Sequence, residues 1–186
     1  MLIVLLLAAC GSSGPKLKES ALSALVLHKA DLPSGFSQFA DNPQGRADIH
    51  PGPREDASRF GRLGGWIARF RRADVSSVHV RGPLVVESRA DLFKSSSGAK
   101  QDLSAYNDEY SATAPTLAGA PIEVPQIGDD ALGFRFGSGL DRYVLLAWRK
   151  ANATASVLVE GSAVTVADAV RLARLQQKRV AAQAAL

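Results

Sequence analysis

Cysteine is almost missing from this chain: 186 residues contain one, Cys10. A lone thiol excludes an internal disulfide framework and any cysteine-rich zinc site. Strong charge imbalance is missing too. There are 22 Lys+Arg against 18 Asp+Glu, a formal net charge of +4. Long hydrophobic runs are also lacking. Residues 1–9 are apolar, but a spanning helix takes about 20 residues. Internal repeats and low-complexity segments do not occur. With 46% hydrophobic and 22% charged residues, the composition is that of a globular protein. Disordered, collagen-like and polytopic membrane chains are thereby excluded, and the length favours one domain.

The signatures of common chemistries are equally sparse. No glycine series opens a helix with Lys-Ser or Lys-Thr, as a phosphate loop requires. Gly137-Ser138-Gly139 sits between two expected strands and reads as a hairpin turn, whereas a nucleophile elbow needs a strand-to-helix turn. His28, His50 and His79 lack a metal-binding spacing. Asp108-Glu109 and Asp129-Asp130 are neighbours whose side chains diverge, so neither forms an acid–base pair. No catalytic residue, metal ligand or cofactor is assigned, and the chain is expected not to be an enzyme. Nucleic acid is not expected as a partner, because no aromatic–basic recognition pattern supports it.

What is present begins at the amino terminus. Met1 to Ala9 has the length of the apolar core of a secretory signal, roughly 7–15 residues. Leu7-Ala8-Ala9-Cys10 resembles the lipobox of bacterial lipoproteins: an aliphatic residue, two small residues, then cysteine. The resemblance implies cleavage between Ala9 and Cys10. It also implies diacylglycerol on the Cys10 sulfur and further acylation, palmitate being a typical chain. Lipoprotein signals normally open with Lys or Arg, so the basic start of residues 1–9 is expected to lie upstream. Removal of the signal leaves 186 − 9 = 177 residues. Residues 10–20 are expected to be the lipidated cysteine and a flexible Gly/Ser tether, and residues 21–186 the folded domain. The expected location is the extracytoplasmic face of a cell membrane.

Along the mature chain, Leu22, Leu25 and Val26 predict a helix over 19–28, stopped by Pro33 and Gly35. Residues 41–64 are rich in Pro, Gly, Asp and Arg. They predict a long loop with a short helix near 54–60. Alternation of Trp66, Ala68 and Phe70 predicts a strand over 65–72, and a second extended region covers 77–90. Ser95 to Ser97 can cap a helix reaching Thr113, with Ala99, Leu103, Tyr106 and Tyr110 in one stripe. Strands are expected over 131–136, 142–150 and 154–161, joined by short turns that imply antiparallel pairing. Thr165 and Asp168 form a capping pair for a last helix over 166–182. Val166, Val170, Ala173, Leu175 and Val180 supply its apolar positions. The expected fold class is α+β: a single domain with an antiparallel sheet packed against an N-terminal, a central and a C-terminal helix.

Asp31-Leu32-Pro33-Ser34-Gly35-Phe36 and the Ile127-Gly128-Asp129-Asp130 turn, followed by amphipathic strands and an Ala/Arg/Gln-rich last helix, resemble actinobacterial sensor-type lipoprotein domains, some near the PsbP-like fold. The resemblance implies a binding or sensing role, and it transfers no catalytic residue. Two sets of candidate contacts follow from the residues. Trp66, Phe70, Phe134, Phe136, Tyr143 and Trp148 either fill the core or line a pocket for a small apolar ligand. Arg171, Arg174 and Lys178 either complement the last helix dipole or touch an anionic surface. The expected function is a lipid-anchored, extracytoplasmic, non-enzymatic binding or sensing domain. The alternative is a structural or assembly lipoprotein acting through contacts with envelope proteins.

Overall fold

The computed structural model describes residues 16–46, 56–73, 81–138 and 141–185. Among these residues, seven strands form one wholly antiparallel sheet: β1 (Phe36–Gln44), β2 (Arg62–Arg72), β3 (Val85–Phe93), β4 (Ala120–Pro121), β5 (Asp130–Phe136), β6 (Arg142–Lys150) and β7 (Ala153–Gly161). Their order across the sheet is β1-β2-β3-β7-β6-β5-β4. Helix α1 (Ser96–Thr113) covers one face and α2 (Val166–Ala184) the other. The protein is thus an α+β domain with helices on both sides of its sheet.

Two helix layers explain the two cores. A strand sends alternate residues to opposite faces, so β6 divides its apolar run. Val144, Leu146 and Trp148 face α2, while Leu145 and Ala147 face α1. On β7, Ala155, Val157 and Val159 join the α2 core. Thr154 and Ser156 turn to α1, where Thr154 Oγ1 donates to Asp102 at 2.6 Å and Ser156 meets the Tyr106 hydroxyl at 3.2 Å. Strands β6 and β7 are paired on both sides, which accounts for the near-continuous apolar character expected of residues 143–148. Their hairpin is closed by Ala151 and Asn152, with Lys150 opposite Ala153.

Both long helices start where the sequence says they should. Ser95 Oγ accepts the Gly98 N–H at 3.1 Å. Thr165 and Asp168 cap α2 reciprocally, with Thr165 N–H donating to Asp168 Oδ2 at 3.0 Å and Asp168 N–H to Thr165 Oγ1 at 3.2 Å. The α2 stripe is displaced from expectation. Ala169, Leu172, Ala173, Gln176 and Val180 are buried, whereas Val166, Val170 and Leu175 are half-buried. Gln176 enters the core because Ser88 Oγ donates to its Oε1 and its Nε2 donates to Arg89 O, each at 2.8 Å.

The structure differs from expectation in the amino-terminal half. The N-terminal helix is a 3-10 helix, Glu19–Ala24, rather than one reaching residue 28. Leu25, Val26 and Leu27 follow it in succession, all fully buried, and Leu27 N–H donates to Ser88 Oγ. Three consecutive buried residues cannot share one helical face. The folded region also starts before residue 21. Leu17 is 3% exposed and bonded to Asn152. Within 41–64, Asp41–Gln44 belong to β1 and Arg62–Gly64 to β2, while the short helix is the 3-10 turn Ala57–Phe60. Residues 47–55 lie outside the described ones. Strand β3 begins at Val85 and continues to Phe93, so the extended region is shifted forward of 77–90, of which 77–80 lie outside the described residues.

Candidate functional site

A groove of about 350 Å³ opens where β5 and β6 meet the start of α2. Register puts Arg135 of β5 directly opposite Val144 of β6. Arg142 lies two residues before Val144, so the two arginines are diagonal neighbours on one face of the sheet. Val164 and Val166, on either side of the Thr165 cap of α2, line the groove together with Phe136, Tyr143, Ser138 and Thr165. Val144 and Val164 are buried, whereas Arg135 and Arg142 are exposed. Neither arginine side chain has a hydrogen-bond or ion-pair partner among the described residues. The floor is therefore apolar and the wall cationic. Such a combination suits a ligand with an apolar body and a small anionic group.

Asp141 adjoins Arg142 in the chain and is the acid beside the groove. Glu160 is paired across the strands with Tyr143, hence on the opposite sheet face from Arg142 and Val144. Its negative charge, with partial burial and Asp141, pushes the Tyr143 phenol above its ordinary range. Asp168 is engaged in the α2 cap. A smaller groove, about 140 Å³, lies between the Leu32-Pro33 turn and α2, with Arg72 and Arg171 at its edge.

The six aromatic candidates do not converge. Phe70 and Trp148 are fully buried in the α2-side core, with Trp66 packed against it. The Trp148 indole N–H donates to Gln177 Oε1 at 2.7 Å. Phe134 and Phe136 face α1, their rings 5.9 Å apart and stacked, with Tyr110 against both and Tyr143 beside them. Phe136 and Tyr143 are the two that reach the large groove. Arg171, Arg174 and Lys178 share one solvent-facing stripe of α2. Arg179, next to them, donates instead to Asp31 at 2.8 and 3.1 Å.

His28 is exposed, its ring near Ser23 O at 3.2 Å. His50, His79, Cys10, Ala9 and the rest of the lipobox lie outside the described residues. Among the described residues no three His, Cys, Asp or Glu side chains gather as a metal site. No described helix is long and apolar enough to cross a membrane.

The groove arginines were not singled out from sequence. Arg135 alternates with Phe134 and Phe136, and Arg142 opens an apolar strand. Each reads as an ordinary solvent-facing residue until the register sets them side by side.

No family model matches the sequence, and no curated protein matches it. Among solved structures, the extracellular domain of PknH from Mycobacterium tuberculosis is similar in fold. The TM-score is 0.58 and the identity 11%, over 90% of this chain and 98% of that one. At that identity the likeness is one of fold.

Proposed function

We propose that this protein is an extracytoplasmic binding or sensing domain, held to the membrane through lipidated Cys10 and without catalytic activity of its own. The observation that carries the reading is the fold shared with an extracellular domain over 90% of the chain. Two features support it independently. Leu7-Ala8-Ala9-Cys10 has the lipobox order, and several acyl chains at about 0.8 kcal/mol per buried CH₂ anchor stably. The large groove is also of ligand size, since small-molecule sites run from about 300 Å³ upward.

The direct test expresses the full chain, with a basic signal start supplied, in a bacterial host fed labelled palmitate. Wild type is expected to take up label and sediment with membranes. Cys10→Ser is expected to do neither. A Cys10→Ser protein that still sediments with membranes would remove lipid attachment as the anchor. Native mass spectrometry of protein released from its own envelope tests carriage, with a co-purifying small molecule expected.

The second reading, a lipoprotein acting through protein contacts, is favoured by β1. This strand is an edge of the sheet. It also carries Phe39, 48% exposed, whose ring lies 5.7 Å from the Arg71 guanidinium. An apolar ring on an open strand edge is a means of pairing with another chain. Phe39→Asp is expected to abolish any envelope-protein cross-link through this edge.

A further inference from the structure

We propose that the groove between β5, β6 and α2 binds an amphipathic anion, with a single phosphate or carboxylate head held by Arg135 and Arg142 and an apolar tail on Val144, Val164 and Val166. This rests on the binding-domain reading and names its ligand class. Two guanidinium groups without a partner among the described residues lie diagonally on one sheet face, where their like charges repel. An anion between them turns that repulsion into two charge-assisted interactions, and arginine suits the planar, bidentate recognition of carboxylate or phosphate. Glu160 faces the other side of the sheet from this wall.

The groove also has a direction. The chain enters the fold at Leu17, which is bonded to Asn152 in the β6–β7 hairpin, at the far end of β6 from Arg142. Lys16 and Lys18 lie by Gln183 near the end of α2, whereas the groove lies at its start. Helix α2 has 19 residues, so the two ends are separated by about 28 Å at 1.5 Å per residue. A tether attached at Leu17 therefore leaves the groove at the end of the domain remote from the point of attachment.

The test uses the full chain in neutral phosphatidylcholine nanodiscs with ¹³C-labelled valine methyls, titrated separately with octyl phosphate, octanoate, octan-1-ol and inorganic phosphate. Octyl phosphate or octanoate is expected to shift Val144, Val164 and Val166 saturably. Octan-1-ol and inorganic phosphate are each expected to bind at least tenfold more weakly. The pair Arg135→Gln and Arg142→Gln is expected to weaken the anion at least tenfold and leave octan-1-ol unchanged. Replacement of both by Lys should restore part of the affinity. Both positions are exposed, and an unchanged amide spectrum confirms that the variants fold. Absence of saturable shifts at these valines, equal binding of octan-1-ol, or full binding by the Gln pair would overturn the proposal. The palmitate and sedimentation result is independent of these outcomes, so the anchored-domain reading can stand or fall separately.

Discussion

Asn152 holds both polar atoms of the Leu17 peptide backbone. Its Oδ1 accepts the Leu17 N–H at 2.8 Å, and its Nδ2 donates to Leu17 O at 3.3 Å and to Phe93 O at 2.8 Å. The residue is 3% exposed and sits in the β6–β7 hairpin, 135 residues away in sequence. One side chain thus fastens the segment around Leu17 to the far end of the sheet. Seven peptide units separate Cys10 from Leu17, a reach of at most about 25 Å.

Asn152→Ala should release that segment. Buried backbone groups left without partners cost about 1–3 kcal/mol each, so a total loss of about 3 kcal/mol is expected in urea unfolding. Asn152→Asp keeps the acceptor for Leu17 N–H but sets a buried carboxylate against Leu17 O and Phe93 O, and should cost at least as much as Ala. Limited proteolysis should cut near Lys16 and Lys18 faster in the Ala variant. Equal cutting in wild type and variant would show that the clasp does not hold the segment.

The most costly site to disturb should be Asp91. Its carboxylate, 1% exposed, lies between two arginines. Arg62 Nε donates to Oδ1 at 2.9 Å and Arg89 Nε to Oδ2 at 2.7 Å, while Arg62 Nη1 donates to Gly45 O at 2.7 Å. Breaking a buried pair from one side costs about 3–5 kcal/mol. Asp91→Ala removes the acceptor common to both cations and should lie at or above the top of that range. Arg62→Met removes one cation and leaves Asp91 its Arg89 contact, so it should cost less. Gly65→Ala belongs to the same series, because its Cβ would meet the Asp91 carboxylate and the Arg62 guanidinium. The order of urea midpoints is the check, and Arg62→Met proving worse than Asp91→Ala would reverse the assignment of Asp91 as the shared partner.

The parts of this fold that local chemistry determines were readable before the structure. Ser95, Thr165 and Asp168 mark helix starts through bonds made within three residues. Strands β5 to β7 show alternation or continuous apolar character joined by short turns. Strand β1 was hidden for a physical reason. Residues Asp41-Asn42-Pro43 are poor strand formers, but among the described residues β1 is an edge paired with β2 alone, where a missing proline N–H need not break a ladder. The separation of Phe70 and Trp148 from Phe134 and Phe136 was hidden because it depends on both sheet faces being covered. Arg135 and Arg142 become neighbours only through the β5–β6 register. Arg62, Arg89 and Asp91 meet through β2–β3 pairing and resemble surface charges one by one.

Ala151 is a place where the chain works against itself. Its φ is 53°, in the left-handed region, where a Cβ crowds the following carbonyl. The hairpin still needs it there, since Ala151 N–H donates to Asp129 Oδ2 at 3.0 Å. Ala151→Gly removes the crowding but adds freedom to the unfolded chain. The first effect should prevail, with a net gain of about 0.5–1 kcal/mol. Thermal unfolding at one pH measures it, and a lower melting temperature in the glycine variant would contradict the reading.

The same hairpin should carry a pH signature through Asp129. Partial burial pushes its carboxyl up. The Lys150 hydrogen bond, the Ala151 N–H and the charges of Lys150 and Arg149 together outweigh that and hold it below the ordinary 3.8. Lys150 Nζ lies 2.8 Å from Oδ1 and Arg149 Nη1 3.3 Å from Oδ2. A carboxyl whose pKa is lowered by folding contributes stability above its unfolded value and loses it as pH falls through the folded value. The contribution should therefore be full at about pH 6 and fade below about pH 4. Asp129→Asn keeps an oxygen for the Ala151 N–H and removes the charge. The gap in urea midpoint between wild type and this variant should stay constant from about pH 6 to about pH 4 and shrink in stronger acid. A gap that holds unchanged at the acid end would mean that the carboxylate charge does not stabilise the hairpin, leaving the geometry of the hydrogen bond to Ala151 as the whole effect.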